Sequence, residues 1–312
     1  MNAPKVALIV NPHSDRGRTG ARRAEIESAL RAAKVSFDAV ATSGPGDAVD
    51  LARRAAHDGY RTVCSVGGDG TLNEVLNGLL DESGRAIRDV RLATIGRGTG
   101  CDWARNLGLG RRLDVAIAAL GGEARRVDVG RARFASDDRS EVIRYFLNVA
   151  DVGLGAFVAE RLKAGQGVFP RRLTFLWASL RALVEFPGAD LEIDLDGSGR
   201  RARCKFIVVA NGRYFGGGMK VAPNALPDDG LFDVVIAEEM GLVASLAAVP
   251  RIYSGSHLRL ASVSSLRARK VAISGPPEVL LEMEGERPGR LPASFEIVPS
   301  AISVMVPRPS ST

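Results

Sequence analysis

The sequence predicts two domains: a nucleotide-binding α/β domain built on a parallel sheet, followed by a mainly antiparallel, β-sandwich-like domain. Three observations lead there. Short β-branched runs alternate with amphipathic ones as far as about Leu120. Turns of glycine and small polar residues follow the early strands directly. After Gly121-Gly122 the texture changes to strand-like segments divided by Gly, Asp and Pro. A length of 312 residues suits two cores better than one.

In the first part the expected strands are Val6 to Val10, Ser36 to Ala41, Thr62 to Val66 and Arg91 to Ile95. Helices fill the intervals at Ala21 to Ala33, Asp47 to His57 and Leu72 to Leu80, the last with Leu72, Val75, Leu76, Leu79 and Leu80 on one face. Beyond residue 122 the expected strands are Leu191 to Asp196 and Arg203 to Ala210 around Gly197-Ser198-Gly199, then Leu231 to Ala237, Lys270 to Ser274, Val279 to Met283 and Ala293 to Val298. Helical inserts are expected near residues 172–185 and 240–254. No internal repeat is present.

Composition narrows the function. With 42 basic and 36 acidic residues the net charge is +6, a mild bias toward nucleotides, phosphates or acidic membrane surfaces. No basic block with interleaved aromatics exists, and aromatics make up only 5% of the chain, which argues against nucleic acid. Three widely spaced cysteines, Cys64, Cys101 and Cys204, suit a reducing compartment and no zinc site. The N-terminus carries no signal-peptide core, and no apolar run approaches the roughly 20 residues of a membrane span. The expectation is a cytoplasmic protein whose membrane contact is peripheral.

The strongest local signal is Gly67-Gly68-Asp69-Gly70-Thr71, between a strand and a helix. Three glycines let the backbone approach an anion closely, and the helix that follows presents free amides and the positive end of its dipole. The Lys-Ser/Thr ending of a P-loop is missing, so any cation for the phosphates comes from elsewhere. The plainer reading is a tight turn capped by Asp69 and Thr71. A matching turn, Gly96-Arg97-Gly98-Thr99-Gly100-Cys101-Asp102, follows the next strand; Asp102 suits both an N-cap and an active-site carboxylate. A third loop, Asn11-Pro12-His13-Ser14-Asp15-Arg16-Gly17, follows the first strand. Three such loops at the carboxyl edge of a parallel sheet are where open α/β folds bind ligands.

Taken in order, N-P-x-S, G-G-D-G-T-x-N-E and G-T-G-x-D-x-A-R resemble the catalytic domain of the diacylglycerol, sphingosine and ceramide kinase family, parts of which NAD kinases and phosphofructokinases share. The second half separates these: Asn211-Gly212-Arg213-Tyr214-Phe215-Gly216-Gly217-Gly218-Met219 and Ala222-Pro223-Asn224-Ala225 to Asp228-Asp229-Gly230-Leu231 resemble the lipid-kinase β domain. The resemblance covers nearly the whole chain. It implies ATP and Mg²⁺, and a first domain of residues 1–122 completed by 299–312, with 123–298 forming the acceptor domain. It implies nucleotide contacts from Asn11, Thr42, Gly67, Gly68, Asp69, Gly70, Thr71, Leu72, Asn73, Gly98, Thr99 and Glu286. A structural Mg²⁺ would use the Asp229 carboxylate with the carbonyls of Leu226 and Leu231; read alone, the same residues make an ordinary Asp-Gly turn.

The family's C-terminal Asp-Gly-Glu, whose Asp is proposed as base, reads here Glu284-Gly285-Glu286, so Glu284 becomes the expected base with a reach longer by about an ångström. Further departures are Cys101 where the family has Asn, and Gly96-Arg97 where it has a Pro-containing pair. The implied chemistry is in-line attack by a lipid hydroxyl on the γ-phosphorus, with Asp69 and Asp102 leading to a catalytic Mg²⁺. Residues 161–186 mix Phe169, Phe175, Trp177 and Leu180 with Arg171, Arg172 and Arg181, which suits a bilayer surface as well as a core helix. Two rivals stand at this point: a kinase for a non-lipid acceptor such as NAD, and a nucleotide- or lipid-binding regulator without catalysis. A homodimer is left open.

Overall fold

The computed structural model describes residues 5–98, 100–158, 181–182 and 184–308. The chain forms two units, residues 1–129 with 227–229 and 298–312, and residues 130–226 with 230–297.

In the first unit, strands β1 (Val6–Val10), β2 (Phe37–Ala41), β3 (Thr62–Gly67) and β4 (Arg91–Gly96) pair in parallel in the order β4-β3-β1-β2. Residues 303 and 304 add a further parallel partner on the free edge of β4, with Ser303 opposite Arg91. Every residue of β1 and β3 is buried, as continuous apolar runs between two helical layers require, whereas edge strand β2 is half exposed.

The helices are α1 (Arg18–Ala21), α2 (Arg23–Ala32), α3 (Asp47–His57), α4 (Asp69–Leu79), α5 (Asp102–Asn106) and α6 (Leu113–Leu120). The single helix expected from Ala21 to Ala33 is broken at Arg22, because the amide of Gly20 bonds the Pro12 carbonyl at 3.1 Å and draws α1 onto the first loop. The second correction matters more for function. Helix α4 begins at Asp69 rather than at Leu72, so Asp69-Gly70-Thr71 are its first turn, entered from Gly68 in an extended conformation. Helices α3 and α4 cross closely at Gly78, where a Cβ would stand 2.2 Å from the Val49 carbonyl oxygen.

The second unit is antiparallel. Its strands are β5 (Glu123–Ala135, from residue 130), β6 (Glu141–Phe146), β7 (Val149–Gly153), β8 (Ala189–Leu195), β9 (Ser198–Ala210), β10 (Phe232–Glu238), β11 (Val263–Ala268), β12 (Lys270–Ser274), β13 (Leu280–Met283) and β14 (Glu286–Val306, to residue 297). Pairings run in a circuit, β7 with β9, β9 with β8, β8 with β12, β12 with β14, β14 with β13 and β13 with β7; β10 and β11 extend from β9. Alternate residues such as Ala150, Val152, Leu191, Ile193, Ile207, Val209, Ile273, Leu281 and Phe295 meet in one core, as period-two patterning dictates. Helix α7 (Leu242–Ser254) follows β10.

The expected strand Ala293 to Val298 is part of the much longer β14, and β9 begins at Ser198, so the β8–β9 turn is Asp196-Gly197 alone. Both residues have positive φ, 52° and 88°, the requirement of a type I′ hairpin. The expected helical insert at 172–185 and most of the segment 161–186 lie outside the described residues.

Candidate active site

In the first unit all three loops leave the carboxyl ends of neighbouring strands, and specific bonds join them. The Asn11 amide donates to the Val66 carbonyl at 3.0 Å, and Asn11 Nδ2 donates to Thr71 Oγ1 at 2.9 Å, linking loop one to the first turn of α4. Ser14 Oγ donates to Thr19 Oγ1 at 2.6 Å, closing the first loop on itself. The Arg97 amide donates to the Gly67 carbonyl at 2.6 Å, and a Cβ on Gly98 would stand 2.4 Å from the Gly68 Cα. Only a glycine pair lets these two backbones lie in such contact. Thr42, buried at the end of β2, donates its amide to Val10 on the same edge.

Two carboxylates meet at Gly100. A Cβ there would lie 2.9 Å from Asp69 Oδ2 and 3.2 Å from Asp102 Oδ2. The Asp69 carboxylate accepts the amides of Asp102 and Trp103 at 3.2 and 3.3 Å, so the first turn of α4 caps α5. Burial pushes the Asp69 carboxyl above its usual range, against the opposing pull of those amides. Asp102, buried, is ion-paired with Arg105. Cys101 stands in the left-handed region at φ 49°, where its Sγ accepts the Gly98 amide and donates back to the Gly98 carbonyl at 3.2 and 3.3 Å. Burial drives this thiol up to about 12, so it serves as a neutral clamp on the loop.

In the second unit, Asn148 and Asn211 knit three segments together. Asn211 Nδ2 donates to the Leu147 carbonyl at 2.7 Å, Asn148 Nδ2 to the Tyr214 carbonyl at 2.6 Å, and the amides of Asn211 and Gly212 to the Asn148 carbonyl. Gly216, Gly217 and Gly218 all have positive φ, a run that only glycine sustains without strain. Glu284-Gly285 form the turn between β13 and β14 with φ of 55° and 86°, again type I′. Asp and Asn tolerate that left-handed position better than Glu, which gives a backbone reason for Asp-Gly in such turns. Glu284 is 9% exposed, and its Oε1 accepts the amides of Leu147 and Asn148 at 2.9 and 2.7 Å. Glu286, opening β14, is exposed.

Comparison with known proteins decides the family. The Diacylglycerol kinase catalytic domain matches residues 5–132, and the YegS C-terminal NAD kinase beta sandwich-like domain matches residues 148–306, just over half of the chain. The chain belongs to the diacylglycerol kinase family. A diacylglycerol kinase of Bacillus subtilis (strain 168) is 28% identical over 310 residues, 97% of both chains, and one of Staphylococcus aureus (strain bovine RF122 / ET3-1) is 29% identical over 97% of this chain and 92% of that one. Two crystal structures of diacylglycerol-kinase-type proteins from Bacillus anthracis str. Sterne share the fold, with TM-scores of 0.76 and 0.71 at 24% and 22% identity and 98% coverage of each chain. As a family member the protein is a kinase that transfers phosphate to an alcohol acceptor, and the family implies ATP as donor.

Within this diacylglycerol kinase fold, Asn11, Thr42, Gly67, Gly68, Asp69, Gly70, Thr71, Leu72, Asn73, Gly98 and Asp102 all belong to the first unit, on or beside the joined loops. Thr99 lies outside the described residues. Glu284 and Glu286 belong to the second unit. Asp229 is half-buried in a loop that Gly230 turns with φ 75°, and one carboxylate with the carbonyls of Leu226 and Leu231 is a hard-oxygen donor set that suits Mg²⁺. Among the described residues no group of three His, Cys, Asp or Glu side chains is arranged for a metal.

Sequence reasoning gave no role to Glu74, whose carboxylate accepts the amides of Gly46 and Ala48 at 2.9 and 3.3 Å and so fixes the start of α3. The G-G-D-G-T-x-N-E spacing was the available signal, since it sets Glu74 in the second turn of α4.

It also missed Asp151 and Glu282, directly opposite each other on β7 and β13 and both buried. Asp151 Oδ1 and Oδ2 and Glu282 Oε2 have no hydrogen-bond donor in good geometry among the described residues. Burial pushes Asp151 up to about 6, and burial together with the Asp151 charge pushes Glu282 well above the usual range. One shared proton resolves the clash. Stability from raised acids is full below about pH 4 and lost as pH rises through about 6 and beyond. Glu282→Gln should therefore raise the melting temperature at pH 8 by roughly 3–6 °C, with a smaller gain at pH 5. Thermal melts across pH test this, and an equal shift at both values rejects the shared proton.

Proposed function

We propose that this protein transfers the γ-phosphate of ATP to a hydroxyl of diacylglycerol or a closely related lipid presented at a membrane surface. The observation that carries the reading is the joining of three phosphate-type loops at one sheet edge, with Asp69 and Asp102 converging at Gly100. The names of the full-length relatives support the acceptor. Among the described residues no helix is long and apolar enough to cross a membrane, so lipid would be met from outside the bilayer.

The amides at the start of α4 and the Gly68–Gly98 contact would hold the phosphate chain, and Asn11, Thr42 and Thr71 would orient it. Asp69 and Asp102 would receive the catalytic Mg²⁺, while Asp229 with the Leu226 and Leu231 carbonyls would hold the structural one. Bound Mg²⁺ supplies charge neutralisation on the phosphates. Glu284 is the proposed base, its carboxylate held in place by the two amides that donate to Oε1. The commitment of Oε1 to those amides favours a second reading, in which exposed Glu286 takes the proton.

The test is transfer of labelled γ-phosphate to diacylglycerol, monoacylglycerol, sphingosine and ceramide in mixed micelles, with NAD as a soluble acceptor. Labelling of diacylglycerol is expected. Glu284→Gln should lower turnover by about 10²–10⁴-fold, and Glu286→Gln by far less at saturating ATP. The reverse pattern moves the base to Glu286, and labelling of NAD alone overturns the lipid reading.

A further inference from the structure

The phosphate cradle contains no lysine, yet a positive charge stands beside it with two donors unpartnered among the described residues. Arg97 lies between Gly96 and Gly98, in the stretch whose backbone touches the Gly67-Gly68 turn. Its amide is fixed to the Gly67 carbonyl, and its own carbonyl accepts Thr19 Oγ1 at 3.4 Å, so the residue is anchored to the Gly67-Gly68 turn and to α1. Two of its guanidinium nitrogens, Nε and Nη2, are buried with no hydrogen-bond partner among the described residues.

The surrounding charges do not neutralise it. Glu25 attracts it, Arg22 and Arg111 repel it, and Arg111 is itself paired with Asp15. Burial lowers its pKa, but a guanidinium remains protonated at any physiological pH. A buried fork of unused donors, held by backbone bonds on both sides, suits a planar bidentate anion such as a phosphate oxygen pair.

We propose that Arg97 is a positioning residue for the outer phosphates of the nucleoside triphosphate, supplying the cation that the glycine turn lacks. This rests on the kinase reading of the same site. Arg97 would bring a fixed charge to the β- and γ-phosphates, and the side chain would be strained for want of an acceptor until nucleotide arrives.

The experiment measures binding of ATP, ADP and AMP to the full chain by calorimetry, together with thermal melts with and without ATP, for wild type, Arg97→Met and Arg97→Lys. Methionine keeps an unbranched apolar stem but removes the guanidinium and its charge. ATP affinity should fall by about tenfold or more in Arg97→Met, AMP affinity should change little, and Arg97→Lys should fall between. Without nucleotide the Arg97→Met melting temperature should equal or exceed that of wild type, because the unmet donors are gone. A drop in melting temperature with ATP affinity unchanged would mean a purely structural residue and overturn the proposal. Equal losses for ATP and AMP would overturn the assignment to the outer phosphates. Absence of nucleotide binding in wild type would overturn the kinase reading and this inference together, whereas tight wild-type binding shared by Arg97→Met overturns this inference alone.

Discussion

Asp69→Asn should reduce turnover by about a thousandfold while leaving the fold intact. The side chain sits in the first turn of α4, meets Asp102 at Gly100, and accepts two amides from the start of α5. Asparagine retains one oxygen to accept those amides, so the cap is weakened rather than lost, and the melting temperature should move by only about 2 °C. What disappears is a negative charge in an enclosed site, where such groups act strongly on a polyphosphate and its metal; loss of one preorganised group costs about 10²–10³ in rate. Initial rates under saturating ATP measure the effect, and a variant retaining a third of wild-type turnover removes Asp69 from the mechanism. Because burial raises this acid and it must be ionised to act, the acid limb of the wild-type rate profile should lie above the usual carboxylate range.

The second large effect is expected from a single methyl group. In Gly98→Ala the new Cβ would fall 2.4 Å from the Gly68 Cα, about 1 Å inside normal contact, and neither atom belongs to a flexible side chain. The two loops must part by that amount. Displacement on this scale costs about 10²-fold at a positioned site, so the KM for ATP should rise roughly a hundredfold with little change in melting temperature. Gly121→Ala, whose Cβ would meet only the Ala118 oxygen at 3.9 Å, is the matched control and should behave as wild type. Wild-type KM in Gly98→Ala would show that the loops do not need this contact to hold nucleotide.

The nucleotide side of the site was legible because its information is local. Glycines after β-branched runs mark turns that carry phosphate-binding amides, and helix α3, Asp47–His57, follows directly from its apolar spacing. The start of α4 was misjudged because glycine reads as a breaker, whereas Gly70 here lies inside the first helical turn. Strand β5 escaped notice because four arginines and Glu123 occupy exposed or half-exposed positions, and buried Asp128 interrupts the apolar run, which hides the alternation. The remainder depends on register. Glu282 meets Asp151, and Glu284 meets the Leu147 and Asn148 amides, only because β13 pairs with β7 in one alignment. Nothing near either residue in sequence announces that. Arg97 was visible as a departure from the family pattern, but its unmet donors emerge only when the loops are packed together.

The parallel partner of β4 has a further consequence, for synthesis of the protein. Arg91 pairs with Ser303, so the outer edge of the nucleotide-binding sheet cannot close until roughly 200 more residues have left the ribosome. At ordinary elongation rates of about 5–20 residues per second that is on the order of 10–40 s, during which an apolar strand edge of the nascent chain stays open to chaperones or to other chains. The antiparallel unit gains no head start, because β12 and β13 pair with β14 as far as residue 296, so both sheets wait for the same late strand and close almost together.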